Sequence, residues 1–279
     1  MNRALLVGIN AYPGNELRGC INDIKDMADF IVAKCSFSKA DIRLLTDERA
    51  TKAAIVERLG WLLSGLRSGD RILFHYSGHG ALMSFRNPQG EVDRVHDAIC
   101  PIDFDWSEAH AITDTDFNDL FDSVPQGVEF VWISDSCHSG HLITKEPPKM
   151  DIRRKTIVPP ADMEWRIQVA REKGIHSLGF TRASSKLNLA LIAGCKSDQT
   201  SADASFNGRA NGALTFYLLK ELGTQVGLKE PLTKVIKDVQ ASLGKNGYDQ
   251  VPQLEGSPVI EARGFLAQNS SAVQINPLW

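Results

Sequence analysis

The 279-residue sequence lacks several features that would place it in a specialised class of protein. No run approaches the roughly 18 apolar residues of a membrane-spanning helix. The opening MNRALLVGIN reaches glycine and asparagine before the apolar core of a signal peptide is complete. The five cysteines are odd in number and show no paired spacing, which argues against a disulfide scaffold and for a reducing compartment. We therefore expect a soluble cytoplasmic protein.

The sequence also lacks a large excess of positive or negative charge. The formal net charge is −3, so electrostatics give no reason to expect nucleic acid or an anionic membrane as a partner. The G-x-S-x-G elbow of α/β-hydrolases and a Gly-rich phosphate loop are absent. What the chain does have is 43% hydrophobic residues, enough to fill the core of a large domain.

Short apolar runs alternate with stretches of helical periodicity along the chain. This alternation predicts an α/β protein with a mainly parallel sheet that is covered by helices on both faces. We predict a helix over residues 22–34 that is capped by Asn22, and a second helix that is capped by Thr51. Residues 81–94 are predicted to form a polar loop, and residues 258–262 the last strand.

The most informative stretch is VEFVWISDSCHSG, residues 128–140. Its apolar run predicts a central strand, and the polar turn that follows lies at the carboxyl end of that strand, where α/β sheets bind ligands. Cys137 is therefore placed where a reacting group would be presented. A thiol with a pKa of roughly 8.5 needs a partner that activates it. The strand in RILFHYSGHG, residues 71–80, ends in His79 and delivers an imidazole to the same edge.

Two alternatives apply to these residues. A cysteine at a strand end, taken alone, is more often a small buried hydrophobe than a nucleophile, and only the context of His79 favours catalysis. His75 and His79 have the spacing of a zinc site on a helix, but strand residues four apart lie about 13 Å from each other. No metal site is expected from this pair.

Four motifs occur in the order GCIND, HYSGHG, DSCHSG and GCKSDQTSAD. Together they resemble the metacaspase and orthocaspase branch of the caspase-like cysteine peptidases (clan CD, family C14), and the resemblance spans residues 3–262. It implies the caspase-like fold, with a central, mainly parallel β-sheet and helices on both faces. It also implies a cysteine endopeptidase.

The resemblance divides the chain into one peptidase domain, residues 1–266, and a C-terminal tail, residues 267–279. Within the domain it implies a large-subunit-like part (1–143), a linker (144–160) and a small-subunit-like part (161–266). The linker is rich in proline and basic residues, a composition typical of an exposed loop.

A Cys/His dyad is enough for the implied chemistry. Cys137 would attack a peptide carbonyl to form a thioester, and His79 would carry the proton to the leaving amine. The resemblance assigns the oxyanion hole to the main-chain N–H groups of Gly80 and Cys137. No cofactor is expected.

The resemblance also implies a substrate-binding pocket built by Asp23, Ser77 and Asp135 and lined by Cys20. Two carboxylates in one small pocket repel each other unless a cation joins them, so the pocket should select arginine or lysine before the cut. The alternative is that Asp23 caps a helix and Asp135 orders the turn.

The basic linker lies just downstream of this nucleophile. We expect self-cleavage there, after Arg153 or Arg154, although an ordinary solvated loop remains the alternative. The expected partners are protein or peptide substrates with a basic residue before the cut, and a regulatory protein or inhibitor. The protein is expected to be a monomer.

Many metacaspases resemble one another in using calcium held by four aspartates. Alignment of the motifs puts His96, Asp114, Thr115 and Thr144 at those positions, so one carboxylate of four survives. Calcium wants six to eight oxygen ligands, and we therefore expect calcium independence. Three nearby aspartates could rebuild a site: Asp93, Asp97 and Asp116.

Three other readings stay open. One is a catalytically silent caspase-like binding or regulatory module, which the intact dyad and pocket disfavour. The second is a calcium-activated metacaspase. The third is an unrelated thiol hydrolase or transferase that uses Cys137, which the missing elbow and phosphate loop disfavour.

Overall fold

The computed structural model describes residues 1–137, 152–177, 179, 189–197 and 199–267. Its centre is a six-stranded sheet in which every neighbouring pair is parallel except the antiparallel pair at one edge. The strands are, in spatial order, β12 (Gln253–Gly256), β9 (Leu189–Ala193), β7 (Glu129–Asp135), β3 (Arg71–Ser77), β1 (Asn2–Gly8) and β2 (Ile42–Thr46).

Helices cover both faces of this sheet. The helices are α1 (Cys20–Lys34), α2 (Lys52–Leu63), α3 (Asp114–Phe121), α4 (Ala161–Glu172), α5 (Ala213–Leu222), α6 (Leu232–Lys245) and α7 (Pro258–Glu261). Because successive strand residues point to opposite faces, Leu5 and Val7 pack with α2 and α3, whereas Ala4 and Leu6 pack with α1, α5 and α6. The predicted α/β fold is confirmed.

Two small antiparallel sheets lie at the carboxyl edge of the large sheet. The first contains β4 (Gly80–Arg86), β5 (Val92–Ile99) and β6 (Ile112–Thr113). The second contains β8 (Arg153–Arg154), β10 (Ala202–Phe206) and β11 (Arg209–Gly212). Among the described residues no helix is both long and apolar enough to cross a membrane, and the five cysteines are free.

Three local predictions are wrong. Residues 81–94 form most of the β4–β5 hairpin, which α4 covers, so its polar residues did not indicate a loop. Residues 258–261 form α7, because Pro258 suits the first turn of a helix, where no N–H is needed. Helix α1 begins at Cys20, and the Asn22 amide instead donates to the carbonyl of Ala210 (2.8 Å). The Thr51 cap is confirmed, since its side chain accepts from the N–H of Ala54.

The predicted linker, residues 144–160, is described only from residue 152 onward. That part is not a free loop. Arg153 and Arg154 form β8, which pairs antiparallel with the first residues of β10. From residue 153 to residue 156, the linker therefore lies against the body of the protein.

Candidate active site

Cys137 and His79 lie at the carboxyl edge of the central sheet. The register of β3 and β7 places Ser77 beside Asp135 at the ends of the two strands. His79 comes two positions after Ser77, and Cys137 comes two positions after Asp135. Both side chains are buried, with Cys137 fully covered and His79 2% exposed. Gly78 makes the turn possible, because a Cβ there would stand 2.6 Å from the Tyr12 hydroxyl.

The imidazole of His79 is oriented by main-chain atoms. Its Nε2 lies 2.7 Å from the carbonyl oxygen of Asn15, so Nε2–H donates there. Nδ1 then carries the lone pair, and it is buried without a hydrogen-bond partner among the described residues. Burial lowers the pKa of His79 to about 4. The ring is therefore neutral at pH 7 and able to accept a proton.

One carbonyl oxygen occupies the predicted oxyanion hole. The N–H groups of Gly80 and Cys137 both donate to the Lys155 carbonyl, each at 3.1 Å. Two convergent main-chain donors are the arrangement that stabilises the negative oxygen of a tetrahedral intermediate. The peptide bond after Lys155 thus lies at the reactive edge.

The side chain of the same residue fills the predicted pocket. Lys155 Nζ lies 2.9 Å from Ser77 Oγ, 3.1 Å from Asp135 Oδ1 and 3.3 Å from Asp23 Oδ2. The ammonium donates hydrogen bonds to Ser77 and Asp23 and forms an ion pair with Asp135. The lysine and both carboxylates are completely buried.

The charges in the pocket depend on one another. Burial alone would lower the pKa of Lys155, but attraction by the carboxylates of Asp135 and Asp23 outweighs it and holds that pKa above its ordinary value. Burial raises the pKa of Asp23 to about 6 against the opposing attraction of Lys155, and the charge of Asp135 adds to the rise. The pocket is therefore built for a cation, because without one its two carboxylates would repel each other in a dry site.

Cys20, the fourth residue predicted for this pocket, is fully buried at the first position of α1. Burial raises the pKa of its thiol. It therefore contributes a neutral wall rather than a charge.

Several residues of the pocket were not predicted. The N–H of Gly212 donates to both carboxylate oxygens of Asp23, at 2.9 and 3.0 Å. A Cβ at this position would stand 2.2 Å from Lys155 Nζ. Thr215 donates from its N–H (3.1 Å) and its hydroxyl (2.8 Å) to Asp135 Oδ2. The start of α5 therefore forms the floor of the pocket.

A third acidic residue stands close by. Asp203 is buried, and its carboxylate accepts from the N–H of Arg18 at 2.6 Å. Its charge also helps to hold the pKa of Lys155 high. Asp203 is the last residue of the motif GCKSDQTSAD, and this motif was the sequence signal that could have identified it as a pocket residue.

The linker binds across the site in the manner of an extended peptide. Its strand β8 pairs with β10, and the N–H of Lys155 donates to the Ser201 carbonyl (3.1 Å). Arg153 Nη1 donates to the carbonyl of Glu16 (2.7 Å), in a groove beside His79. Neither Arg153 nor Arg154 enters the acidic pocket. Addition of a strand to a sheet edge is a common way to bind a peptide.

The positions aligned with calcium ligands bind one another. His96 Nδ1 lies 2.6 Å from Asp114 Oδ1, and the Thr115 hydroxyl lies 3.2 Å from the same nitrogen; Thr144 lies outside the described residues. Among the nearby aspartates, Asp97 accepts from Ser177, and burial together with the charge of Asp114 raises the pKa of Asp97 to about 7. Asp116 completes the capping box of α3 with Thr113, and Asp93 pairs with Arg94. In the described part of the chain, no group of three or more His, Cys, Asp or Glu residues could hold a metal ion. Among the described residues, the aligned positions offer one carboxylate, one imidazole and one hydroxyl, which is fewer oxygen ligands than calcium prefers.

A caspase-like α/β fold with a cysteine and a histidine at adjacent strand ends defines a class of cysteine peptidase. Residues 2–146 match the family described as "Metacaspase, peptidase C14 domain". Metacaspase-1 of Meyerozyma guilliermondii is 32% identical over 91% of this chain and 69% of its own length. Metacaspase-9 of Arabidopsis thaliana is 31% identical over 95% and 96%. The chain belongs to the metacaspase family and is a cysteine peptidase of the C14 type.

A solved structure of another protein has a similar fold. A crystal structure of a protein from Geobacter sulfurreducens aligns with a TM-score of 0.68 over 96% of this chain and 98% of that chain. The two sequences are 23% identical, so this likeness supports the fold alone.

Proposed function

We propose that this metacaspase is an endopeptidase that cleaves after lysine or arginine, with Cys137 as the nucleophile and His79 as the general base and acid. One observation carries the proposal. Lys155 has its ammonium between two buried carboxylates while its carbonyl oxygen accepts from the N–H groups of Gly80 and Cys137. That is the placement expected of the residue before a scissile bond.

The reaction follows from these positions. The sulfur of Cys137 attacks the carbonyl carbon, and the developing oxyanion is held by the two N–H groups. His79 takes the thiol proton and gives it to the leaving amine. The carbonyl of Asn15 holds the ring through Nε2–H, so no acidic third residue is required. Water then hydrolyses the thioester.

The same placement supports self-cleavage within the chain. Sequence composition predicted self-cleavage after Arg153 or Arg154, whereas the pocket holds the side chain of Lys155. We therefore propose the bond between Lys155 and Thr156 as the first site of self-cleavage. Until that bond is cut and the linker leaves, the linker blocks the pocket against other substrates.

We also propose that the enzyme works without calcium. The support is the direct contact between His96 and Asp114 and the finding that, within the described residues, no group of three or more His, Cys, Asp or Glu side chains could hold a metal ion; calcium prefers six to eight oxygen ligands. The loops around the site would then be ordered by protein contacts.

Fluorogenic peptides test the proposal. We expect cleavage of a peptide that ends in Arg-Arg-Lys before the reporter group, and no cleavage of a matched peptide that ends in Arg-Arg-Glu. Cys137→Ala should abolish turnover while its circular dichroism spectrum stays that of the wild type. Equal turnover of both peptides would contradict the acidic pocket, and activity of the folded Cys137→Ala protein would contradict the nucleophile.

A further inference from the structure

A second thiol touches the nucleophile. The sulfur atoms of Cys195 and Cys137 lie 3.6 Å apart, at van der Waals contact. The mechanism described above does not use Cys195. Its position beside the reactive sulfur therefore needs another explanation.

The strand register brings the two residues together. Strands β7 and β9 are parallel neighbours with Ser134 beside Ala193, and the N–H of Gly194 donates to the Ser134 carbonyl (2.9 Å). Continuing this register places Cys195 next to the residue before Cys137. Neighbouring strands lie about 4.8 Å apart, and the Cα atoms of disulfide partners lie about 4.4–6.8 Å apart. A bond between the two sulfurs needs only a small movement of side chains.

The surroundings distinguish the roles of the two thiols. Cys195 can donate its S–H to Cys137 Sγ or to the Gln199 carbonyl oxygen, 3.3 Å away. The hydrogen bond to Cys137 and then burial raise the pKa of Cys195, so it remains a protonated thiol. The Ser201 N–H also points at Cys137 Sγ. The Cys137 S–H can itself donate to the Ser201 carbonyl, 3.9 Å away. Oxidants attack the thiolate form of a cysteine.

The sulfur pair can be reached by a small oxidant. Cys195 is partly exposed, whereas Cys20, Cys35 and Cys100 are buried. Hydrogen peroxide is little larger than water, and Cys195 is the more exposed member of the pair. None of the other three cysteines has a recorded sulfur–sulfur contact in the described residues.

We propose that Cys195 is a resolving cysteine that forms a reversible disulfide with Cys137 after oxidation by hydrogen peroxide. The Cys137 thiolate attacks the O–O bond, which gives a sulfenic acid and releases hydroxide. The Cys195 sulfur then attacks the sulfenic sulfur and loses its proton, and water leaves. In sum, two thiols and one peroxide give one disulfide and two waters. The disulfide silences the nucleophile and protects it from irreversible oxidation to the sulfinic acid.

Peptide mapping tests the disulfide without any use of peptidase activity. The reduced full-length protein is treated with hydrogen peroxide, its remaining thiols are capped with iodoacetamide, and it is digested without reductant. We expect a linked pair of peptides that contains Cys137 and Cys195, is two hydrogens lighter than the separate peptides, and disappears with dithiothreitol. Cys195→Ser should give no such pair and should accumulate sulfinic acid at Cys137. Cys35→Ser, which alters a buried cysteine at the end of α1, should behave as the wild type.

Recovery of activity is the second readout, and it alone relies on the proposed function. Each protein is compared with its own untreated sample. Wild type and Cys35→Ser should lose activity with peroxide and regain most of it with dithiothreitol, whereas Cys195→Ser should not recover. The proposal is overturned if the wild type shows sulfinic acid at Cys137 as quickly as Cys195→Ser and no linked peptides. If untreated wild type cleaves no basic peptide, the proposed function fails, while the linked peptides still decide the disulfide. Cys195→Ala replaces the serine variant if the latter does not fold.

Discussion

Substitution of Gly212 by alanine should destroy the basic-residue pocket and leave the nucleophile in place. The new Cβ would stand 2.2 Å from Lys155 Nζ, 2.2 Å from Asp135 Oδ2 and 2.7 Å from Asp23 Oδ2. Ordinary contact begins at 3.4 Å, so the ammonium would have to retreat by about 1.2 Å, the difference between 3.4 and 2.2 Å. The same retreat would apply to a substrate side chain.

The size of the effect follows from this clash. Overpacking of a well-filled site costs about 1–3 kcal/mol, and about 1.4 kcal/mol corresponds to a factor of ten. We therefore expect kcat/KM for a lysine peptide to fall by about 5- to 150-fold. The matched control is Gly60→Ala, because Gly60 lies in α2 with open space around its Cβ position. That change should leave kcat/KM unaltered and help the helix slightly.

The assay pairs turnover with a probe of the nucleophile. Iodoacetamide is small and uncharged and does not need the pocket, so its rate of reaction with Cys137, followed by mass spectrometry, reports on the dyad alone. Gly212→Ala should keep at least the wild-type alkylation rate while it loses peptide cleavage. Unchanged kcat/KM in Gly212→Ala would refute the close approach of a cation to the start of α5.

Four further predictions concern Lys155, Asp135, His75 and calcium. Lys155→Arg should retain self-cleavage, whereas Lys155→Ala should lose it at this bond, as intact-mass measurement will show. Asp135→Asn should lower kcat/KM for basic peptides by about ten- to hundredfold, through loss of a charge-assisted contact of about 1.5–3 kcal/mol, whereas Asp26→Asn, which alters an acid on α1 paired with Arg209, should not; equal losses would contradict the pocket. Burial lowers the pKa of His75 to about 3, below its unfolded value of about 6.5, so the unfolded chain binds more protons between these values. Stability should therefore fall as pH drops below about 6.5, by at most about 1.4 kcal/mol per pH unit from this group, and thermal unfolding of His75→Gln should show a shallower decline; an equal decline would contradict a neutral His75. Turnover should persist in excess chelator, and a strict calcium requirement in that titration would contradict the direct contact of His96 with Asp114.

The sequence was sufficient to predict the sheet and to place Cys137 and His79 at one edge of it, because both follow from local patterns. A parallel strand buried on both faces is a continuous apolar run, and its carboxyl end is the place where polar residues meet. Cys137 and His79 could therefore be placed at one edge from their own neighbours in the sequence. The motif resemblance added the acids Asp23 and Asp135.

The identity of the bound linker residue could not be predicted in the same way. Arg153, Arg154 and Lys155 are all basic, and composition does not distinguish among them. The pairing of β8 with β10 does, because successive residues of an extended strand point to opposite sides. This alternation turns Arg154 away from the pocket. Arg153 lies two residues before Lys155, too early in the strand to reach the pocket.

Gly212 was missed because its role depends on a close approach between distant parts of the chain. Nothing in the local sequence linked the start of α5 with Asp23. The hairpin over residues 80–99 was missed for a related reason. Its buried polar residues, such as Ser84, are satisfied by hydrogen bonds to Arg94 and Met163, and these contacts arise only in the fold.

Mapping of the self-cleavage site tests the central claim most directly. The purified wild-type protein and Cys137→Ala are incubated side by side, and the new chain ends are determined by mass spectrometry and amino-terminal sequencing. We predict that the wild type yields a fragment that begins at Thr156 and that Cys137→Ala yields none. A first cut after any other residue, or the same cut in Cys137→Ala, would contradict the assignment of Lys155 as the substrate residue of this active site.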